Sequence, residues 1–358
     1  MAKDTQNDSG VSPLPLIDVS ALRGTDERAF MRTAHAIGQA GREIGFFRIA
    51  AHGIAPELIA QTYAAAARFF AQPDAEKLRY YIGDSPNHRG YVPFSEKGDY
   101  PDEVHRSYEA FDLGLDLPPD DPDFLAGNRV LGPNVWPALA GFREAVATYY
   151  AQISGLGRLV TRALEAHLGL PPGTMTSQMT KPVSQLRLLH YVRGAQTHDH
   201  ASVNMGAHTD YECLTLLHTR NPGLQVMMSD GDWIDVPVDP AVFVVNIGDM
   251  LEAWSNGVFR STPHRVLNLS AERFSLPYFV AADYHTLIAP VSQLVTPERP
   301  AQYAPFIAGE HLERMLVRDF PYFRHRKLRA GEVSSQTGPV ENPFENRMNT
   351  MQQVTCHS

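Results

Sequence analysis

The apolar pattern of the chain changes halfway along, from helical spacing to short strand-sized runs. In "DERAFMRTAHAIGQAGREIG" the apolar residues recur every three or four positions, and Gly45 is placed to stop the helix. "APELIAQTYAAAARFFAQP" predicts a second helix ending before Pro73, and an alanine- and leucine-rich stretch from about Trp136 to Leu168 predicts a third. "PLPLIDVSAL" and "FFRIAAHGI" read as short strands between the helices. From about residue 182 the runs "SQLRLLHYV", "LTLLHT", "LQVMM", "WIDVPV", "FVVNIGDM", "HRVLNL" and "RFSLPYFVAA" follow one another, with "NPG", "SDGD" and "DP" as turns. Such spacing predicts a β-sandwich or barrel. A last helix, "GEHLERMLVRDF", precedes a polar tail.

These elements predict a mainly β protein with helical additions (α+β). The expected organisation is a flexible tail over 1–12, a mixed helix–strand region over 13–180 packing on the core, a β-rich core with the last helix over 181–325, and a polar tail over 326–358. That tail could fold over a site as a lid or stay disordered.

The candidate chemistry sits at the start of the β-rich half. In "GAHTDYECLTLL", His208 and Asp210 are two positions apart, so on extended backbone both side chains point the same way. A ferrous site needs neutral imidazoles and a hard anionic oxygen on one face of the ion, with other positions open. By itself His-x-Asp is a weak signal in a chain with 15 histidines. A third ligand is offered by His264, 53 residues beyond Asp210, where the preceding Pro263 keeps the backbone extended. Nine residues further on stand Arg273 and then Ser275, again on one strand face. An arginine fork beside a hydroxyl suits a carboxylate.

With these residues in place, the sequence resembles the iron(II)- and 2-oxoglutarate-dependent dioxygenases of the isopenicillin N synthase-like branch. "GAHTDYECLTLL", "GLQV", "VVNIGDMLEAWSNGVFRSTPHRV" and "ERFSLPYF" match the C-terminal half of that family in order and spacing. "PLIDVSAL", "GFFRIAAHGI", "NHRGYVP" and "EAFDLG" match its N-terminal half, so the likeness spans residues 13–325. The resemblance implies a double-stranded β-helix (jelly-roll) core wrapped by helices, with Fe(II) held by His208, Asp210 and His264. It also implies that Arg273 and Ser275 bind the distal carboxylate of 2-oxoglutarate, with Tyr191 as a further hydroxyl. Asn246 and Asp249 fall in a family-like "NIGD" turn, for which a structural role is expected. The implied reaction uses O2, converts 2-oxoglutarate to succinate and CO2, and hydroxylates or desaturates a small metabolite. A carboxylate at Asp210, rather than a small residue that admits halide, argues against a halogenase.

Two other readings compete. One keeps the fold and iron but drops 2-oxoglutarate, as in the oxidative cyclisation by isopenicillin N synthase itself, where the Arg-x-Ser pair serves the substrate's carboxylate. The other is a non-catalytic ligand-binding protein, against which the intact triad counts. Single residues also have plainer roles open to them: Arg273 paired with a core carboxylate such as Asp283, Tyr191 as core, and Cys213, Met227 and Met228 as packing. His52 would satisfy local backbone groups, and the "THDH" histidines His198 and His200 would face solvent from a loop.

For the substrate, "NHRGYVPFSEKGDYPDEVHRSYEAFDLG" offers Arg89, Tyr91, Arg106, Tyr108 and Phe111. That mixture suits a small molecule with a carboxylate and an apolar body. Composition removes other classes of partner. A net charge of -9 over 358 residues disfavours nucleic acid, and the basic "RHRKLR" is expected to be a solvated segment. Two cysteines exclude a disulfide framework and fit a reducing compartment. The start "MAKDTQNDSG" lacks an apolar h-region and no long apolar run follows, so no membrane partner and a cytoplasmic location are expected. Oligomeric state is not legible in the sequence.

Overall fold

A computed structural model describes residues 14–98, 100, 106–192, 203–267, 272–332, 342 and 344. Beside a short two-stranded pair, Leu287–Ile288 with Phe306–Ile307, the strands in chain order are β1 (Leu16–Asp18), β2 (Phe46–Ala50), β3 (Gly90–Val92), β4 (Tyr108–Gly114), β5 (Gln185–Tyr191), β6 (Val203–His208), β7 (Leu214–Thr219), β8 (Leu224–Met227), β9 (Trp233–Asp235), β10 (Phe243–Ile247), β11 (His264–Leu267) and β12 (Arg273–Val280), and these twelve build the two main sheets. They form an eight-stranded sheet ordered β1-β2-β10-β7-β12-β5-β4-β3 and a four-stranded sheet ordered β6-β11-β8-β9. This is the jelly-roll core with helical additions that the family resemblance implies, within the β-sandwich or barrel that the strand spacing predicts.

The first half of the chain does more than pack on this core. Its strands β1 and β2 form one edge of the large sheet, and β3 and β4 form the other. The central strands of that sheet are buried almost throughout, with all five residues of β10 inaccessible. Both faces are covered, so their sequences read as continuous apolar runs rather than alternations.

The outer face is covered by α1 (Glu27–Glu43), α2 (Pro56–Phe70) and, beyond the single turns α3 (Asp74–Lys77) and α4 (Pro122–Leu125), the long α5 (Phe142–His167). Asp26 caps α1 by accepting from the backbone of Arg28 and Ala29. The third helix starts later than its alanine-rich pattern suggests. Pro137 follows Trp136, Gly141 takes a left-handed φ of 74° just before the helix, and the Trp136 indole instead donates to Asp116.

Beyond α6 (Asp249–Trp254), the C-terminal helix is split into α7 (Ala308–Asp319) and α8 (Pro321–Arg329), with Pro321 opening the second piece. The basic cluster lies in α8, and it is not simply solvated. Arg324 donates to the carbonyls of Val317 and Arg318, and Arg326 to that of Ser85 at 2.7 Å. These bonds fix the α7–α8 corner and tie α8 to the loop that leads into β3. Among the described residues no helix is long and apolar enough to cross a membrane.

One buried histidine of the sheet sets an acid limit on stability. His218 on β7 lies with Nε2 3.1 Å from the Pro240 carbonyl and Nδ1 2.9 Å from the Tyr63 hydroxyl, and burial pushes it down to about 4. Its folded value lies below the ordinary 6.5, so the unfolded chain takes up a proton that the folded chain refuses. The wild type should therefore lose stability relative to His218→Gln as pH falls from 6.5 to about 4, by up to about 1.4 kcal/mol per pH unit. Urea unfolding at several pH values checks this; parallel stability curves for the two proteins would contradict it.

Candidate active site

A cavity of about 570 Å³ lies between the two sheets. Its floor is one face of the large sheet. Because side chains alternate along a strand, Gln185, Arg187, Leu189 and Tyr191 of β5 face it together, as do Arg273, Ser275, Pro277 and Phe279 of β12. The α7–α8 corner closes the mouth with Leu312, Leu316 and Phe320.

At one end the strand register assembles three ligand-type groups. Antiparallel pairing of β11 with β6 sets His264 directly opposite His208, and their rings lie 4.3 Å apart. Asp210 follows β6 and turns Oδ1 to within 3.6 Å of Nε2 on both imidazoles. His208 Nδ1 lies 2.8 Å from the Gly206 carbonyl and His264 Nδ1 3.4 Å from that of Thr262. Those carbonyls accept only from a protonated Nδ1, which leaves both Nε2 lone pairs free toward the centre.

The carboxylate is braced from behind. Asn246 on β10 donates to Asp210 Oδ2 at 2.7 Å, and the Thr215 hydroxyl on β7 donates to the same oxygen. Burial would raise the Asp210 carboxyl, but the imidazoles of His264 and His208 and these two donors hold it below its ordinary range. Burial and the nearby His208 bring His264 down to about 4, so it is a neutral imidazole at pH 7. Two imidazole nitrogens and one carboxylate oxygen, all ligand atoms within 4.8 Å of one another, fit a divalent iron.

Beyond Asn246, the rest of the "NIGD" turn supports this end from behind. The Asp249 N–H donates to the Asp210 carbonyl at 2.8 Å, and its carboxyl accepts from Thr209, Ser261 and Asn342. Burial pushes Asp249 up to about 7. Gly248 must be glycine on steric grounds, since a Cβ would lie 2.3 Å from the Glu212 carbonyl oxygen and 3.0 Å from that of Asp210. Glu212 itself lines the cavity, and burial followed by the Asp210 charge raises its carboxyl to about 8.

Elsewhere on the cavity wall Arg273, Tyr191 and Tyr108 stand in one cross-strand row. The Arg273 guanidinium lies 4.8 Å from the Tyr191 ring centre, and its Nη1 donates to Ser275 Oγ at 3.3 Å. Its buried Nε has no hydrogen-bond partner among the described residues. Asp283 does not pair with it, because that carboxylate accepts from the Thr180 hydroxyl and the Lys181 N–H. A buried arginine with an open donor and an adjacent hydroxyl is a cradle for a carboxylate.

The sequence-derived substrate residues divide. Arg106 and Tyr108 line the cavity. Phe111 lies three positions after Tyr108, so the pleat turns it to the opposite face, where it packs edge-on against Phe69 and Phe142. Tyr91 pairs with Phe111 and shares that face, its hydroxyl donating to Glu109 at 2.5 Å. Arg89 is buried beneath Gly114 and donates to the carbonyls of Asn87, His88 and Val130. These three residues are structural neighbours of the site rather than its wall.

Sequence reasoning passed over Gln185 and Arg187, although both are in phase with Tyr191 on "QLRLLHY". His198 and His200 lie outside the described residues. His52 accepts from the Ile54 N–H through Nδ1, and Cys213 is fully buried.

Known proteins share this arrangement. Residues 14–139 match the family model for the non-haem dioxygenase in morphine synthesis N-terminal region, and residues 183–282 match that of the 2OG-Fe(II) oxygenase superfamily. The chain is 32% identical to clavatol oxidase claD of Penicillium crustosum, over 86% of this chain and 96% of that protein. It is 31% identical to homoarginine-6-hydroxylase 2-ODD-233 of Oryza sativa subsp. japonica, over 87% of this chain and 99% of that one. Among solved structures, a putative 2OG-Fe(II) oxygenase family protein from Caulobacter crescentus superimposes with a TM-score of 0.75 at 30% identity, over 86% of this chain and 99% of that one. A full-length Neurospora crassa protein solved in complex with alpha-KG and thymine superimposes with a TM-score of 0.74 at 28% identity, over 85% and 96% of the two chains. Fold, iron-compatible triad and likeness over nearly the whole length agree: the chain belongs to the 2OG-Fe(II) oxygenase superfamily, oxidoreductases that use Fe(II), 2-oxoglutarate and O2.

Proposed function

We propose that this oxygenase hydroxylates or desaturates a small metabolite that carries a carboxylate and an apolar body. His208, Asp210 and His264 hold the iron, and Arg273 and Ser275, with Tyr191 beside them, hold the distal carboxylate of 2-oxoglutarate. The observation that carries this reading is the pairing of two unlike clusters in one cavity, a two-imidazole and carboxylate triad and a buried arginine with an open donor. Relatives named for clavatol oxidation and homoarginine hydroxylation, and a neighbour solved with thymine, support a small substrate.

Bound iron, 2-oxoglutarate and O2 together supply the oxidising power to break a C–H bond, releasing succinate and CO2. The chain's own part is placement. The Gly206 and Thr262 carbonyls fix both imidazoles with Nε2 inward, while Thr215 and Asn246 fix the carboxylate. Arg273 orients the co-substrate, and the two sheets with Phe320 wall the space in which the substrate meets the iron.

Arg273→Ala should weaken 2-oxoglutarate binding on the order of tenfold to a hundredfold while leaving Mn(II) affinity unchanged. Calorimetry on the Mn(II)-loaded protein reads both. Wild-type protein that binds metal but shows no affinity for 2-oxoglutarate would instead favour a 2-oxoglutarate-independent oxidative cyclase.

A second prediction concerns the turn beneath the triad. Gly248→Ala should displace the Asp210 and Glu212 backbone and lower Mn(II) affinity at least about tenfold. Gly155→Ala, on a helix where an added Cβ meets nothing within 4 Å, is the control and should bind metal as the wild type does. Equal metal affinity in all three proteins would show that the turn does not set the triad.

A further inference from the structure

Resting on the reading of this cavity as the oxygenase site, we propose that Arg187, locked by Asp112 and assisted by Gln185 and Arg106, binds the carboxylate of the prime substrate. Arg187 lies on the cavity face of β5, directly opposite Asp112 on β4. Its Nε and Nη2 donate to the two Asp112 oxygens at 2.7 and 2.8 Å, a bidentate fork that fixes the guanidinium plane. The remaining Nη1 has no hydrogen-bond partner among the described residues, and the side chain borders the cavity. An arginine whose rear edge is clamped presents its free edge in one direction.

Two further open donors border the same cavity. Gln185 precedes Arg187 by two positions on the same strand face, is 6% exposed, and leaves Nε2 without a partner among the described residues. The Arg106 side chain is 10% exposed; its Nη2 donates to Glu96 at 2.9 Å, while its buried Nη1 has no partner among the described residues. The Phe320 ring lies between the two arginines, 5.1 Å from the Arg106 guanidinium and 5.8 Å from that of Arg187. Glu212 also borders the cavity, yet no ion pair joins it to Arg187 among the described residues.

Buried donors without acceptors are uncommon in folded proteins, and each costs stability until it is filled. A carboxylate supplies acceptor lone pairs for donors of this kind, with Arg187 as the fixed one and Gln185 and Arg106 on the same cavity wall. The apolar surface of Phe320, Phe279, Leu312 and Leu316 is then left for the rest of the molecule. Arg273 is separate from this subsite. It pairs with Tyr191, at the other end of β5 from Gln185, so the cavity holds one anion anchor for the co-substrate and another for the substrate.

Calorimetry on the Mn(II) form at saturating 2-oxoglutarate tests this with benzoate, 3-phenylpropionate and octanoate, each beside its primary amide. At least one acid should bind about tenfold or more tightly than its amide. That preference should vanish in Arg187→Gln and shrink several-fold in Gln185→Leu, which leaves the Arg187–Asp112 pair intact should the first variant fail to fold. If no acid is preferred over its amide, or if both folded variants keep the preference, the proposal is wrong. Loss of 2-oxoglutarate binding by the wild type would instead count against the reading of the site itself, so the two failures are distinguishable.

Discussion

The register between β6 and β11 places His264 opposite His208, and the chemistry of the molecule depends on it. A slip of one residue in either strand would turn its imidazole to the other face of the small sheet and separate the pair. The third group is fixed differently. Asp210 lies just beyond β6, but the donors behind it, Thr215 and Asn246, belong to β7 and β10 of the large sheet. The triad is thus shared between the sheets, and its geometry is a direct consequence of how they pack. The Gly248 turn, pressed against the Asp210 and Glu212 carbonyls, completes the joint.

The same two-sheet packing explains how the cavity wall can carry buried charges. Its floor belongs to a sheet whose outer face is sealed by α1, α2 and α5, so charged side chains on the inner face are held by partners rather than by water. Arg187 has Asp112, Arg106 has Glu96, and Arg273 has the Tyr191 ring and Ser275. Each keeps an edge for a ligand. The C-terminal segment contributes as well: Arg324 and Arg326 tie down the α7–α8 corner, and Phe320 from that corner forms part of the wall.

Much of this was legible from the sequence, for identifiable reasons. His208 and Asp210 could be read as a pair because an i, i+2 spacing on extended backbone leaves few geometries, and Arg273 with Ser275 follows the same rule. The β-rich second half came from runs bounded by turn residues, and the jelly roll from the family resemblance. Pairing between distant strands was not legible. Nothing in "GFFRIAAHGI" tells that β2 lies against β10, and nothing in "EAFDLG" tells that Asp112 meets Arg187. The substrate wall was misjudged where alternation was left unused: Tyr108 and Phe111 cannot share a face, whereas Gln185 and Arg187 share one with Tyr191. Arg89 could not be sorted, because its carbonyl acceptors come from three separate backbone positions. The split of the last helix was written in Pro321, and its docking was not.

The central claim is that His208, Asp210 and His264 form one iron site between the sheets. Crystals grown anaerobically with Fe(II) and 2-oxoglutarate, with anomalous data collected on either side of the iron absorption edge, test it directly. The account predicts a single strong anomalous peak bounded by Nε2 of both imidazoles and Oδ1 of Asp210, with 2-oxoglutarate density running from it to Arg273. A peak elsewhere, or none at those three atoms in protein that retains its fold, would contradict it.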